Sequence, residues 1–172
     1  MLKKLINFPS IVAIILLLSQ TSLVAQDKPR ASPPQTTSAE VNGKTITINY
    51  SSPSKKDRVI WGDLVKYDKV WRTGANEATT IEVSEDVKIN GKALKKGKYS
   101  LFTIPREGKW TVIINSNANQ WGAYSYKEGK DVLRFDVMPT SAAFSELFTI
   151  DISDRGVVTI AWDKLKVEFT VE

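Results

Sequence analysis

Several side chains able to bind or transform a ligand lie together in "VWRTGANEATT", residues 70–80. Arg72 offers a planar pair of donors, Thr73 a hydroxyl, Asn76 an amide and Glu77 a carboxylate. These groups could grip a carboxylate, a phosphate or a sugar diol. A structural interpretation competes: the small residues between them form a turn, across which Arg72 pairs with Glu77. We favour that pairing, with the preceding tryptophan packed in the core.

A second candidate surface is aromatic and lies in "NANQWGAYSYKEG", residues 117–129. Flat rings can stack on the apolar face of a sugar while neighbouring amides bind its hydroxyls. The alternate spacing of Tyr124 and Tyr126 is also typical of a strand with one buried face. Trp121 differs, because it lies beside a glycine in a predicted loop, and it is the preferred ligand contact. The predicted ligand-binding set is therefore Arg72, Thr73, Asn76, Glu77, Trp121 and Tyr124.

Asparagines at alternate positions, Asn115, Asn117 and Asn119, resemble the first ligands of a calcium loop. The charged first position and the later bidentate glutamate of such loops are absent. A polar loop is the favoured interpretation, and no metal site is predicted.

Lysines crowd one predicted hairpin and could meet anionic lipid or acidic polysaccharide. Lysines on an edge strand also prevent edge-to-edge pairing of sheets, and we favour this interpretation. The residues are Lys88, Lys92, Lys95, Lys96 and Lys98.

The chain contains no cysteine and no histidine. Disulfides, thiol nucleophiles, Ser-His-Asp catalysis and histidine-ligated metals are therefore excluded. An enzyme of this composition could still use two carboxylates, as glycosidases do, with Glu77 as one of them. No linear spacing indicates such a pair, so the prediction leans away from an enzyme and includes no cofactor.

The N-terminus has the three parts of a secretory signal peptide. Lys3 and Lys4 precede an apolar run from Ile11 to Leu18, and small residues follow. The run is too short to span a bilayer. We expect cleavage after Ala25 or Gln26 and export to the periplasm or the medium, with no integral membrane span in the mature chain.

Three segments are predicted: a signal peptide at 1–26, a flexible Pro/Ser/Thr-rich arm at 27–40, and one domain at 41–172. Without Lys3 and Lys4 the net charge falls from +5 to +3. A charge this small gives no indication of nucleic acid as a partner.

Alternating apolar residues predict an all-β fold, an antiparallel β-sandwich of about nine or ten short strands with little helix. Asn90-Gly91 predicts a hairpin, and "PREG" at 105–108 predicts another. Three closing strands are expected, "LFTIDI", "VVTIAW" and "LKVEFTV", the last two joined at Asp163-Lys164. Short helical turns are expected in "WGDLVKYDKVW" and "SAAFSELF".

Three longer stretches resemble a bacterial family known as domain of unknown function twenty-nine eleven. They are "RVIWGDLVKYDKVWRTGANEATTI", "KKGKYSLFTIPREGKWTVIIN" and "QWGAYSYKEGKDVLRFDV", which lie between Tyr50 and Val137. The resemblance implies an exported, β-rich protein of the kind common in Bacteroidetes. The family has no established reaction, so the resemblance implies no catalytic residue.

These observations favour a non-catalytic exported module that binds a small polar ligand, a glycan or an envelope protein. Its surface would run from the 71–77 turn to the loop around Trp121. The alternatives are a carboxylate-dependent hydrolase and a structural component of the cell envelope without a ligand.

Overall fold

The structure is a computed structural model that describes residues 29–172. The predicted signal peptide and its cleavage site, at Ala25 or Gln26, lie outside the described residues. Within residues 29–172 there is no helix of the length and hydropathy needed to cross a membrane.

The described chain folds into ten antiparallel strands and one short 3-10 turn at Glu128–Lys130. The strands are β1 Pro34–Val41, β2 Lys44–Ser51, β3 Thr80–Val83, β4 Val87–Ile89, β5 Lys92–Leu94, β6 Gly97–Ile104, β7 Trp110–Asn115, β8 Asp131–Val137, β9 Thr140–Ile152 and β10 Val157–Thr170. The predicted all-β class and the number of strands are confirmed.

Six strands form one sheet in the order β1-β2-β3-β6-β7-β8, while β9 pairs with β10 and β4 with β5. The hairpins follow from their turn residues. Asn90 and Gly91 both have positive φ, as a type I′ turn requires, and Ile89 pairs with Lys92 across them. The 105–108 loop joins β6 to β7 as predicted.

The main core is built around indole rings. Trp71 stacks on Trp162 of β10, with ring centroids 6.2 Å apart, and Phe148 of β9 meets both edge-on. Trp61 lies 4.7 Å from Trp110 of β7. Since β9 and β10 supply one side of this core and the six-stranded sheet the other, the two layers are held together by buried aromatic surface.

The central strands of the large sheet also bury their other face. Phe102, Ile104 and Ile113 form a second, smaller cluster, against which Ala123 and Tyr126 pack. The segment between β7 and β8 therefore covers this face of the sheet. Its position brings the Trp121 loop next to the 71–79 loop.

The prediction of a flexible arm at 27–40 is wrong for residues 34–40, because β1 begins at Pro34 and pairs with β2 along its full length. Only Ala39 and Val41 of this strand are buried. Hydroxyls make cross-strand bonds instead, among them Thr36 Oγ1 to Asn49 Oδ1 at 2.7 Å. A strand with little apolar surface has the composition of a linker, which explains the error.

The prediction of three closing strands is also wrong. β10 runs unbroken through Asp163, whose positive φ and register shift make an irregularity within the strand rather than a turn between two strands. β9 extends back to Thr140, so "SAAFSELF" is strand and not helix. "WGDLVKYDKVW" forms turns and single bridges without a helix.

Candidate functional site

The loop from Trp71 to Thr79 is held rigidly by its own hydrogen bonds. Trp71 exchanges both backbone bonds with Thr103 of β6, and its Nε1 donates to the carbonyl of Gly74 at 3.1 Å. Thr73 is fully buried at φ +54°, and its hydroxyl lies 3.1 Å from that of Thr103. Positive φ is rare for a β-branched residue, so tertiary contacts hold this conformation. Thr73 therefore has a structural role inside the turn. Trp71 packs in the core, as the sequence predicts.

The predicted Arg72–Glu77 pair does not form. Glu77 instead receives two hydrogen bonds from Arg30, at 2.9 and 3.1 Å. Arg30 lies in the segment predicted to be a flexible arm, so its partner could not be read from the sequence. Both side chains are about half exposed, and such a pair contributes little to stability.

The pKa of the Glu77 carboxyl lies below its ordinary value of 4.5. The largest cause is the hydrogen bond from the residue's own backbone N–H, and Arg30 adds a hydrogen bond and a favourable charge. Partial desolvation opposes the shift. Glu77 is therefore an anion at neutral pH.

Backbone pairing brings the two predicted segments together. Glu77 lies opposite Trp121 in an antiparallel bridge. The N–H of Ala78 donates to Gln120 at 3.0 Å, and the N–H of Gly122 donates to Asn76 at 3.1 Å. Two stretches some 45 residues apart thus form one continuous surface.

A first groove of about 530 Å³ opens along this surface, between the Trp121 loop, the start of β1 and the end of β2. Trp121 is 58% exposed and forms part of its wall. Polar side chains supply much of the rest: Arg30, Gln35, Thr36, Asn49, Glu77, Lys98, Asn119 and Gln120. A volume of this size suits a small ligand.

Arg72 and Asn76 belong to a different cavity. This second groove, of about 520 Å³, also includes Lys56, Arg58 and Trp162. The Asn76 amide donates to the backbone carbonyl of Ser32 at 3.1 Å, so it fastens the segment before β1. Four residues of the predicted set are thus divided between two grooves, with Glu77 and Trp121 in the first and Arg72 and Asn76 in the second.

Tyr124 stands apart from both grooves. Its side chain is 87% exposed, and it borders a third depression with Asn117 and Lys127. Tyr126, two residues on, packs against Phe102 and donates its hydroxyl to Asp131 at 2.6 Å. Burial, together with the hydrogen bond and charge of that aspartate, raises the pKa of Tyr126.

The asparagine series serves mainly to brace the fold. Asn115 is fully buried and donates to the carbonyl of Lys127 and to the carboxylate of Asp131. Asn119 lies in the first groove. In the portion from 29 to 172, no three acidic side chains converge in a way that could hold a metal ion.

The clustered lysines have local partners. Lys95 pairs with Asp86 at 2.7 Å, and Lys98 lies 3.7 Å from Glu82. Lys98 is on β6, which lies between β3 and β7, so for this residue the interpretation as edge protection is wrong.

Residues 32–171 match the family described as protein of unknown function (DUF2911). Searches of curated proteins and of solved structures found no match. The match covers all ten strands and both grooves apart from Arg30 and Ala31.

Proposed function

Because the chain belongs to the DUF2911 family of unknown function, we propose its role from its own geometry: an exported, non-catalytic module that binds a glycan in the first groove. The signal-peptide pattern at residues 1–26 supports export of the mature chain to the periplasm or the medium.

One observation carries the ligand class: an exposed indole ring stands beside amides and hydroxyls in one concave surface. Trp121 and Asn119 come from one loop, and Thr36 and Asn49 from two neighbouring strands. Sugars present an apolar face to a ring and hydroxyls to amides, so this combination fits them. Exposed aromatic side chains at a groove are also favourable anchors, because little conformational entropy is lost when they bind.

The groove offers little support for a hydrolase. Among the described residues that border it, Glu77 alone carries a carboxylate, and glycosidase chemistry requires two. The acids near the aromatics in the sequence pair elsewhere: Asp63 with Lys66, Asp68 with Arg106 and Glu128 with Arg134.

Tryptophan emission tests the proposal directly. The mature chain is titrated with a panel of soluble neutral and amino-sugar oligosaccharides, and we expect a saturable change in emission for at least one. Calorimetry of Trp121→Ala, which lacks the reporting indole, should show an affinity lowered by at least tenfold, which corresponds to about 1.4 kcal/mol. Tyr124→Ala is the matched control, because it removes a still more exposed ring outside the groove and should leave binding unchanged.

Two outcomes would contradict the proposal. One is an unchanged affinity in a folded Trp121→Ala variant, and the other is the absence of binding across the panel at millimolar sugar. Turnover of any panel member that disappears in Glu77→Gln would favour the hydrolase instead. Export is tested by N-terminal sequencing of the protein recovered outside the cytoplasm, which should begin at Gln26 or Asp27.

A further inference from the structure

The second groove differs from the first in its charge. Of the described residues that border it, three are cations, Lys56, Arg58 and Arg72, and none is an acid. Apolar side chains form much of the remaining wall. We propose that this groove binds an organic anion, a carboxylate or phosphate group carried on an apolar body. The proposal is independent of glycan binding in the first groove.

Arg72 provides the strongest argument. Its Nε is buried and has no hydrogen-bond partner within residues 29–172. Among the described residues no salt bridge or side-chain hydrogen bond involves its guanidinium, and Glu77 pairs with Arg30. A guanidinium has five donors and no acceptor, and a buried donor left unpaired is destabilising. The Nε atom itself is too deeply buried to touch a ligand, but Arg72 borders the groove, so an anion there would neutralise the charge of its guanidinium.

The rigid loop around Arg72 preorganises this residue for ligand binding. Thr73, the next residue, is fully buried in a left-handed conformation and is bonded to Thr103 and Thr79. Nη1 of Arg72 lies close to the backbone of Gly122, where a Cβ would be 3.8 Å away. The backbone at Arg72 is thus fixed by its neighbour and its Nη1 lies near Gly122, and such preorganisation lowers the entropy lost on binding a ligand.

Arg58 and Lys56 add charge at the same groove. The Arg58 guanidinium is oriented by bonds from Nε to the carbonyl of Lys55, at 3.1 Å, and from Nη2 to the carbonyl of Ser54. These acceptors are uncharged, so the positive charge of Arg58 is not neutralised by them. Two acids lie close to these cations: Asp57 separates them in the chain, and Glu146 accepts the backbone N–H of Lys56 at 2.7 Å.

The apolar wall indicates what the anion must carry. Leu64 is 44% exposed, and Pro53, Val65 and the stacked pair Trp71 and Trp162 lie beside it. Val65, Trp71 and Trp162 are at most 9% exposed, so the surface left to cover is mainly that of Leu64. A bare inorganic ion would leave it in water, whereas an alkyl or aryl body would cover it. About 520 Å³ accommodates a molecule of that size.

Calorimetry with three eight-carbon amphiphiles tests the proposal. Octanoate and octyl phosphate carry the two candidate head groups, and octyl glucoside is the neutral control. All are used below their micelle-forming concentrations. We expect at least one of the two anions to bind the wild-type chain at least tenfold more tightly than the glucoside. Added salt should weaken that binding, because the charges are partly exposed.

Matched variants locate the site. Arg72→Gln and Arg58→Gln should each weaken anion binding by about tenfold or more, whereas Arg155→Gln makes the same charge change at an exposed turn and should have no effect. Trp121→Ala should also leave anion binding intact, which separates this site from the proposed glycan groove. If Arg72→Gln does not fold, the affinity of Arg58→Gln for the anion alone decides whether the second groove is the binding site.

Three results would overturn the proposal: no anion binding by the wild type, equal affinity for the neutral glucoside, or equal weakening by Arg155→Gln. The relative affinities of octanoate and octyl phosphate assign the head group. A phosphate preference would indicate a phosphorylated ligand, and an octanoate preference a carboxylic acid.

Discussion

Gly156 should be the least replaceable glycine of the fold. It occupies the turn between β9 and β10 at φ +76°, and its carbonyl accepts the backbone N–H of Val171 at 2.7 Å. A Cβ added there would overlap the carbonyl oxygen of Val171 and press on Val41 at 3.1 Å. Gly156→Ala therefore forces the end of the last strand away from the turn.

The magnitude can be built from three contributions. Placing alanine at positive φ costs about 1–2 kcal/mol. Weakening the bond to Val171 costs about 0.5–1.5 kcal/mol, and overpacking beside Val41 costs about 1–3 kcal/mol. Gly91 isolates the first contribution, because it has φ +77° with no atom within 4 Å of an added Cβ. We therefore expect Gly156→Ala to exceed Gly91→Ala by about 2–4 kcal/mol.

Urea unfolding followed by tryptophan emission gives both free energies of unfolding. If the two unfolding slopes agree, the difference between the midpoints measures the close contact alone. Thermal unfolding should show a gap of about 6–12 °C for a domain of this size. Equal destabilisation by the two substitutions would refute the reasoning, since it would mean that backbone strain accounts for the whole effect.

Two titrations provide further tests. The pKa of Glu77, measured by NMR, should lie below 4.5 and should rise only in part in Arg30→Gln, because the largest cause is its own backbone N–H. A lowered carboxyl pKa gives stability that is present above the unfolded pKa and is lost as the pH falls through the folded one. Tyr126→Phe should leave the absorbance change near pH 10 unaltered, because the raised pKa of Tyr126 delays the ionisation of its hydroxyl. The stability that accompanies this raised pKa is fully present below the unfolded pKa and is lost as the pH rises through the folded pKa. The same variant should unfold about 1–2 kcal/mol more easily, because Asp131 loses the hydroxyl of Tyr126.

Local chemistry explains why much of the fold could be predicted. The Asn90-Gly91 turn and the alternation in β2 are properties of adjacent residues, so they can be read in one dimension. β1 lacks such a signal, since its pairing depends on hydroxyls that meet partners on β2. The irregularity at Asp163 has the composition of a turn, and only pairing with β9 keeps the strand continuous.

The candidate site was predicted less completely than the fold. Glu77 and Trp121 lie opposite each other and border one groove, whereas their role in ligand binding stays a prediction. The partner of Glu77 and the separate location of Arg72 depend on long-range packing. Arg30 is 47 residues from Glu77, and no periodicity or local motif relates positions so far apart.

The short segment Arg30–Ser32 has a consequence for both cavities. The Arg30 side chain borders the first groove, while Ala31 and Ser32 border the second. A single peptide strap thus forms part of two walls, and displacing it from one side reshapes the other. Any ligand that moves this strap would alter the affinity at the opposite groove, and the effect would be reciprocal. Ligand binding in the first groove and ligand binding in the second would then be thermodynamically coupled.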